Sequence, residues 1–177
     1  MNSTMSEESF VCAQCGQRHA GLPTDWGCRK PDEIHALSYL EEYRRVRMNA
    51  DLATLDGKRY FIRCALPLPM VGRSDFFVWD TWVEVSRKHH HLYVEHFDAD
   101  ATGLPGFAGY LANQLPGYRD TLELEVEVEL PPAGKRPSLW LPVDSPHALA
   151  REQAKGIDAV RHHEILEACG HFKRKES

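Results

Sequence analysis

The chain has 177 residues, 42% of them hydrophobic and 10% aromatic, enough for a packed core, so wholesale disorder is excluded. Twenty-one Lys and Arg against 26 Asp and Glu leave a net charge of −5, which argues against a general binder of phosphate backbones. No apolar run reaches the roughly 20 residues of a membrane-spanning helix.

In chain order, residues 1–9 read as a disordered leader. The start, MNSTMSEESF, has neither a basic stretch nor an apolar core to mark it for secretion, so the cytoplasm is the expected compartment. Residues 10–30 are rich in Gly, Cys and Pro without helical or strand periodicity, and read as loops that need an external staple. Pro31 suits a first helical position, with Asp32 and Glu33 at the positive helix end. Ile34, Leu37, Leu40, Tyr43 and Val46 then recur at a spacing near three, predicting one amphipathic helix over 32–48.

The middle of the chain is strand-like. Asp56-Gly57 is a hairpin turn between 51–55 and 58–66, and a PLP turn follows at 67–69. In FFVWDTWVEVS, Phe77, Trp79, Thr81, Val83 and Val85 share one face, while Val78, Asp80, Trp82 and Glu84 share the other. That pattern predicts a central strand, packed on one face and partly covered on the other. Ser86 caps a short helix with Leu92, Tyr93, His96 and Phe97 on one side. A long connection over 98–120 holds one short element near 109–115. TLELEVEVEL places Leu122, Leu124, Val126, Val128 and Leu130 toward a core and Glu123, Glu125, Glu127 and Glu129 outward. A strand at 137–141 follows. Ser145-Pro146 opens a helix to about 155, Gly156 interrupts, and a last helix runs over 157–169 with Gly170 as its stop. The expected fold is α+β: a mainly antiparallel sheet with flanking helices, a single domain over 31–171, and a basic tail over 172–177.

Three of the five cysteines lie in the first 28 residues. An odd count without an export signal argues against a disulfide framework. Cys12-x-x-Cys15-Gly16 has the form of a zinc knuckle, because two thiolates three residues apart grip one ion from a tight turn that Gly closes. With His19 and Cys28 it makes a Cys3His set, a closed structural coordination that supplies no catalysis. Reduced thiols without metal are the plain alternative. A redox CxxC is disfavoured because no βαβ-type strand precedes Cys12.

Other clusters read more simply. His89, His90 and His91 point about 100° apart on a helix and cannot converge on one ion, so a solvated polar face is expected. His162 and His163 form ordinary i,i+4 pairs with Asp158 and Glu167. The four strand glutamates repeat about every 7 Å. They either lie open in water or receive a basic partner. There is no G-x-S-x-G, and the glycines at 103, 106 and 109 lack the Lys and Ser/Thr of a phosphate loop. Arg44, Arg45 and Arg47 alternate around their helix beside Glu41 and Glu42, so no nucleic-acid role is expected there.

Taken in order, FVCAQCGQRH, DLATLDGKRYFIRCALPLPM, FVWDTWVEVS, GYLANQLPGYRDTLELEVEV, KRPSLWLP and HALAREQAKGI resemble the successive motifs of the bacterial domain-of-unknown-function family 2199, over about residues 10–168. The resemblance implies a small bacterial intracellular protein and brings no activity, substrate or catalytic residues. Ala53 stands where many members have Cys, and Cys64 where Gly is usual. His147 matches the family's His before the last helices, which makes it a rival fourth ligand to Cys28. Three functions follow as expectations. The first is a non-enzymatic, zinc-stapled protein-binding module, in one form an immunity-type protein whose acidic strand covers a toxin's basic face. The second is a metal-dependent hydrolase built on His147. The third is a redox protein.

Overall fold

The computed structural model describes residues 9–11 and 18–172. Its centre is a five-stranded barrel made of β6 (Arg59–Pro69), β7 (Phe76–Val85), β8 (Phe107–Leu111), β9 (Glu125–Glu129) and β10 (Ser138–Trp140). Each strand pairs antiparallel with the next. Since five is odd, the first and last strands run the same way, so the barrel closes through a parallel contact of Ser138 with Ala65. Outside it, β5 (Leu52–Leu55) and β4 (Val46–Met48) extend the sheet from β6, and β3 (Asp25–Gly27) adds parallel to β7. A separate pair, β1 (Ser9–Val11) and β2 (Arg18–Ala20), flanks the segment carrying Cys12 and Cys15, which lies outside the described residues. The helices are α1 (Asp32–His35), α2 (Tyr39–Arg45), α3 (Arg87–Glu95), α4 (Ala148–Lys155) and α5 (Ala159–Ala168).

The alternation in β7 does what it predicts. Phe77, Trp79, Thr81 and Val83 are fully buried on the barrel side. On the other side Trp82 is also fully buried, in a second cluster with Ile34, Val46, Ala53, Leu55 and Phe61. Gly109 sits where neighbouring strands crowd: a Cβ there would stand 2.5 Å from Val83 Cγ1. Asp56 (φ 55°) and Gly57 (φ 62°) form the expected tight turn, with Lys58 N donating to Leu55 O at 3.1 Å. Ser86 caps α3 by accepting from His89 N. The chain stops α5 at Gly170 (φ 80°), where Gly170 N and His171 N donate back to Glu167 O and Leu166 O.

Several expectations fail for physical reasons. The helix over 32–48 is two short helices and a strand, because Ser38 and Glu41 form a reciprocal capping box that starts a new helix in the middle of the stripe. The PLP segment is not a turn. Residues 65, 67 and 69 direct their backbone groups away from β7, since Ala65 N donates to Pro137 O while Pro67 O and Pro69 O accept from Gln153 Nε2 and Ile157 N. Pro67 and Pro69 therefore lack an N–H only on the side β7 does not use, and β6 runs on to Pro69. The glutamate strand begins at Glu125, not near 121: Glu123 takes φ 66° in a turn and Leu122 is 48% exposed. The N-cap of α4 is His147 rather than Ser145. Within residues 21–30, expected as loops, Asp25–Gly27 instead form β3 and join the sheet. Trp26 aligns with Trp79 in the sheet, Cys28 N donates to Asp80 O at 2.8 Å, and Trp82 Nε1 donates to Cys28 O at 3.1 Å.

Candidate functional site

Cys12 and Cys15 lie outside the described residues, and His19 is placed by its backbone in β2, opposite Phe10. Cys28 lies half-buried at the edge of the core. Burial first, then the neighbouring Asp32 carboxylate, pushes its thiol up to about 11. Cys64 is fully buried in the barrel and its thiol is also raised, chiefly by burial. Among the described residues, no group of three or more His, Cys, Asp or Glu could hold a metal ion.

His147 is fully employed by the fold. Its Nδ1 accepts from Leu149 N at 3.0 Å as the cap of α4, which leaves the proton on Nε2 to donate to Arg119 O at 2.6 Å. Both ring nitrogens are committed, so neither has a lone pair left for an ion. Nearby, the Tyr118 hydroxyl donates to Glu152, and Arg161 Nε donates to the same carboxylate at 2.6 Å. Burial raises the Tyr118 hydroxyl well above its ordinary value. A phenol held protonated by a salt-bridged carboxylate is a structural tie rather than a proton shuttle at neutral pH.

The histidines of α3 and α5 are less solvated than their sequence suggests. His90 is 7% exposed and packs 5.1 Å from the Tyr60 ring, and His89 stacks on Phe107. His162 is buried, with Nε2 donating to Pro23 O at 2.7 Å, while His163 stacks on Phe172. The main polar network on the barrel wall is self-neutralising. Arg63 and Arg136 both grip Asp80, at 2.8 and 3.0 Å, and Arg136 also grips Asp51 at 2.9 Å.

The barrel face over β8, β9 and β10 has a different character. Val126 and Val128 point inward, which turns Glu125, Glu127 and Glu129 outward into solvent. Directly opposed residues of an antiparallel pair share a face. Glu125 is opposite Tyr110, and Glu127 lies between Ala108 and Trp140. Tyr110 is 51% and Trp140 38% exposed. Among the described residues, no ion pair engages these three carboxylates, whereas Glu84 on the adjoining strand is held by Arg59. Glu123, in its turn, does not belong to the row. The result is a ridge of three uncompensated carboxylates edged by two exposed aromatic rings. Tyr110 and Trp140 were missed from the sequence because the strand register, not the local pattern, brings them there.

No helix among the described residues is long and apolar enough to cross a membrane. A family model described as "Uncharacterized protein conserved in bacteria (DUF2199)" matches residues 11–157. No curated protein and no solved structure matches the chain.

Proposed function

The chain belongs to the bacterial family DUF2199, and as that membership carries no activity with it, we propose from geometry that the protein is a non-catalytic binding module whose β8–β9–β10 face receives a basic region of a partner protein. One observation carries this reading: Glu125, Glu127 and Glu129 stand in a row without a cation among the described residues, flanked by exposed Tyr110 and Trp140. Carboxylates left unpaired on a rigid barrel wall suffer mutual repulsion that an incoming Lys or Arg relieves. Exposed Tyr and Trp supply large contact area at small entropic cost and can also lie under a cationic side chain. An immunity-type protein that covers a toxin's basic face is one concrete form.

The test is capture of the partner from the source cell by the wild type and by E125Q/E127Q/E129Q, which keeps shape and removes charge. The variant is expected to lose the partner or hold it at least roughly tenfold more weakly, mostly through a slower, less salt-sensitive association. Equal capture by both proteins would overturn the reading.

The module as proposed also carries one structural zinc on Cys12, Cys15, His19 and Cys28. The support is the Cys-x-x-Cys spacing between two paired strands. Native mass spectrometry of the reduced chain should find one zinc, absent in Cys12→Ser. Retention of the metal in Cys28→Ser would remove Cys28 from the ligand set.

A further inference from the structure

Helix α2 buries none of its side chains. Local chemistry holds it: the Ser38–Glu41 capping box at one end and a bidentate pair from Arg45 to Asp56 at the other, both bonds 2.9 Å. Packing therefore does not explain why it displays Tyr39 at 82%, Leu40 at 61% and Tyr43 at 74% exposure, next to half-exposed Met48 on β4. Between α2 and β4 lies an open cleft of about 780 Å³ lined by Tyr39, Tyr43, Arg44, Arg47 and Met48. Its one acidic residue, Glu42, is neutralised by Lys30 at 2.6 Å. Arg44 and Arg47 have no carboxylate among the described residues, and Arg47 donates only to backbone carbonyls. The cleft is aromatic and basic.

The same chain carries the chemical counterpart of that cleft. Three unpaired carboxylates and two exposed rings on the barrel wall match two unpaired guanidinium groups and two exposed phenols on α2 and β4. The geometry points to self-recognition: the α2–β4 cleft of one copy receives the β8–β9–β10 face of a second copy, with Arg44 and Arg47 meeting Glu125, Glu127 and Glu129. The inference rests on that face being a recognition surface, and adds that the chain itself competes for it. The net charge of −5 opposes two copies at a distance, so the attraction is confined to about one Debye length, roughly 8–10 Å in ordinary buffer. Because two different patches meet, the contact is heterologous. A basic partner of higher affinity would displace it.

Sedimentation equilibrium of the full chain tests this. The wild type should self-associate with rising concentration, roughly tenfold more weakly in high salt. R44E/R47E and E125Q/E127Q/E129Q should each lose self-association while keeping the wild-type circular dichroism, since all five side chains are at the surface. Mixed, the two variants should form a 1:1 complex, because the pair retains one intact cleft and one intact acidic face. A wild type that stays monomeric to about 1 mM, or variants that fail to recombine, overturns the inference. A monomeric wild type that still binds a Lys/Arg-rich peptide through the three glutamates overturns the self-contact alone and leaves the functional reading standing. Self-association of the wild type, with no peptide bound even by R44E/R47E whose acidic face is free, leaves the self-contact standing and overturns the separate basic partner.

Discussion

His90 is 7% exposed, and neither of its ring nitrogens has a hydrogen-bond partner among the described residues. It faces the Tyr60 ring from β6 and His91 from its own helix. Burial, then the proximity of His91, lowers its pKa below the free histidine value. His162 is lowered too, again chiefly by burial. Both rings are thus neutral in the fold and regain an ordinary value of about 6.5 only on unfolding. Below that pH the unfolded chain binds more protons than the native one, so stability is fully present above it and drops as pH falls toward the depressed native values. Each group can contribute a slope of up to about 1.4 kcal/mol per pH unit in that window. His90→Leu should flatten the decline between pH 6.5 and 5. At pH 7 it should match or exceed wild-type stability by about 1 kcal/mol, since it removes two unsatisfied buried nitrogens. Urea denaturation at several pH values measures this. An unchanged slope would show that His90 protonates freely in the native state.

At the scale of elements, what a segment does with its own neighbours was legible and what distant segments do to it was not. The period-two patterns of β7 and β9 and the Asp56-Gly57 turn are local, and each predicted its element. The three-spaced stripe from Ile34 to Val46 is equally local but misleading. Ile34 and Val46 are buried in the second core cluster, yet Leu40 and Tyr43 between them lie open. The missed signal was Ser38-x-x-Glu41, a capping box inside the supposed helix. Pro67 and Pro69 read as a turn because their backbone orientation depends on which side β7 occupies, a tertiary fact. The same distinction divides the candidate site. Glu125, Glu127 and Glu129 were readable as an outward row, whereas Tyr110 and Trp140 join it only through cross-strand register. The hydrogen bonding of His147 is hidden in the same way, because the Arg119 carbonyl at its Nε2 comes from a remote loop.

At the scale of the whole molecule, the weak point is the seam. Four of the five barrel joints are consecutive antiparallel pairs, but β10 meets β6 in register only at Ser138 and Ala65. Beyond that point the two strands part, and the side chain of Gln153 from α4 fills the gap. Its Oε1 accepts from Leu141 N at 2.8 Å, and its Nε2 donates to Leu139 O at 2.9 Å and Pro67 O at 3.2 Å. One amide thus replaces the missing ladder bonds on both sides of the seam, and Gln153 is buried among them. Gln153→Met keeps the volume and leaves these backbone groups without partners. Unsatisfied buried groups cost about 1–3 kcal/mol each, partly relieved by relaxation, so a loss of roughly 2–4 kcal/mol is expected. Equilibrium urea unfolding should show a lower midpoint at an unchanged m-value. Hydrogen exchange should rise first at Leu141, whose amide loses its acceptor. If Gln153→Met instead unfolds within about 0.5 kcal/mol of wild type, the single Ser138–Ala65 contact is enough to close the barrel, and the amide is an accessory to a seam that apolar packing already holds.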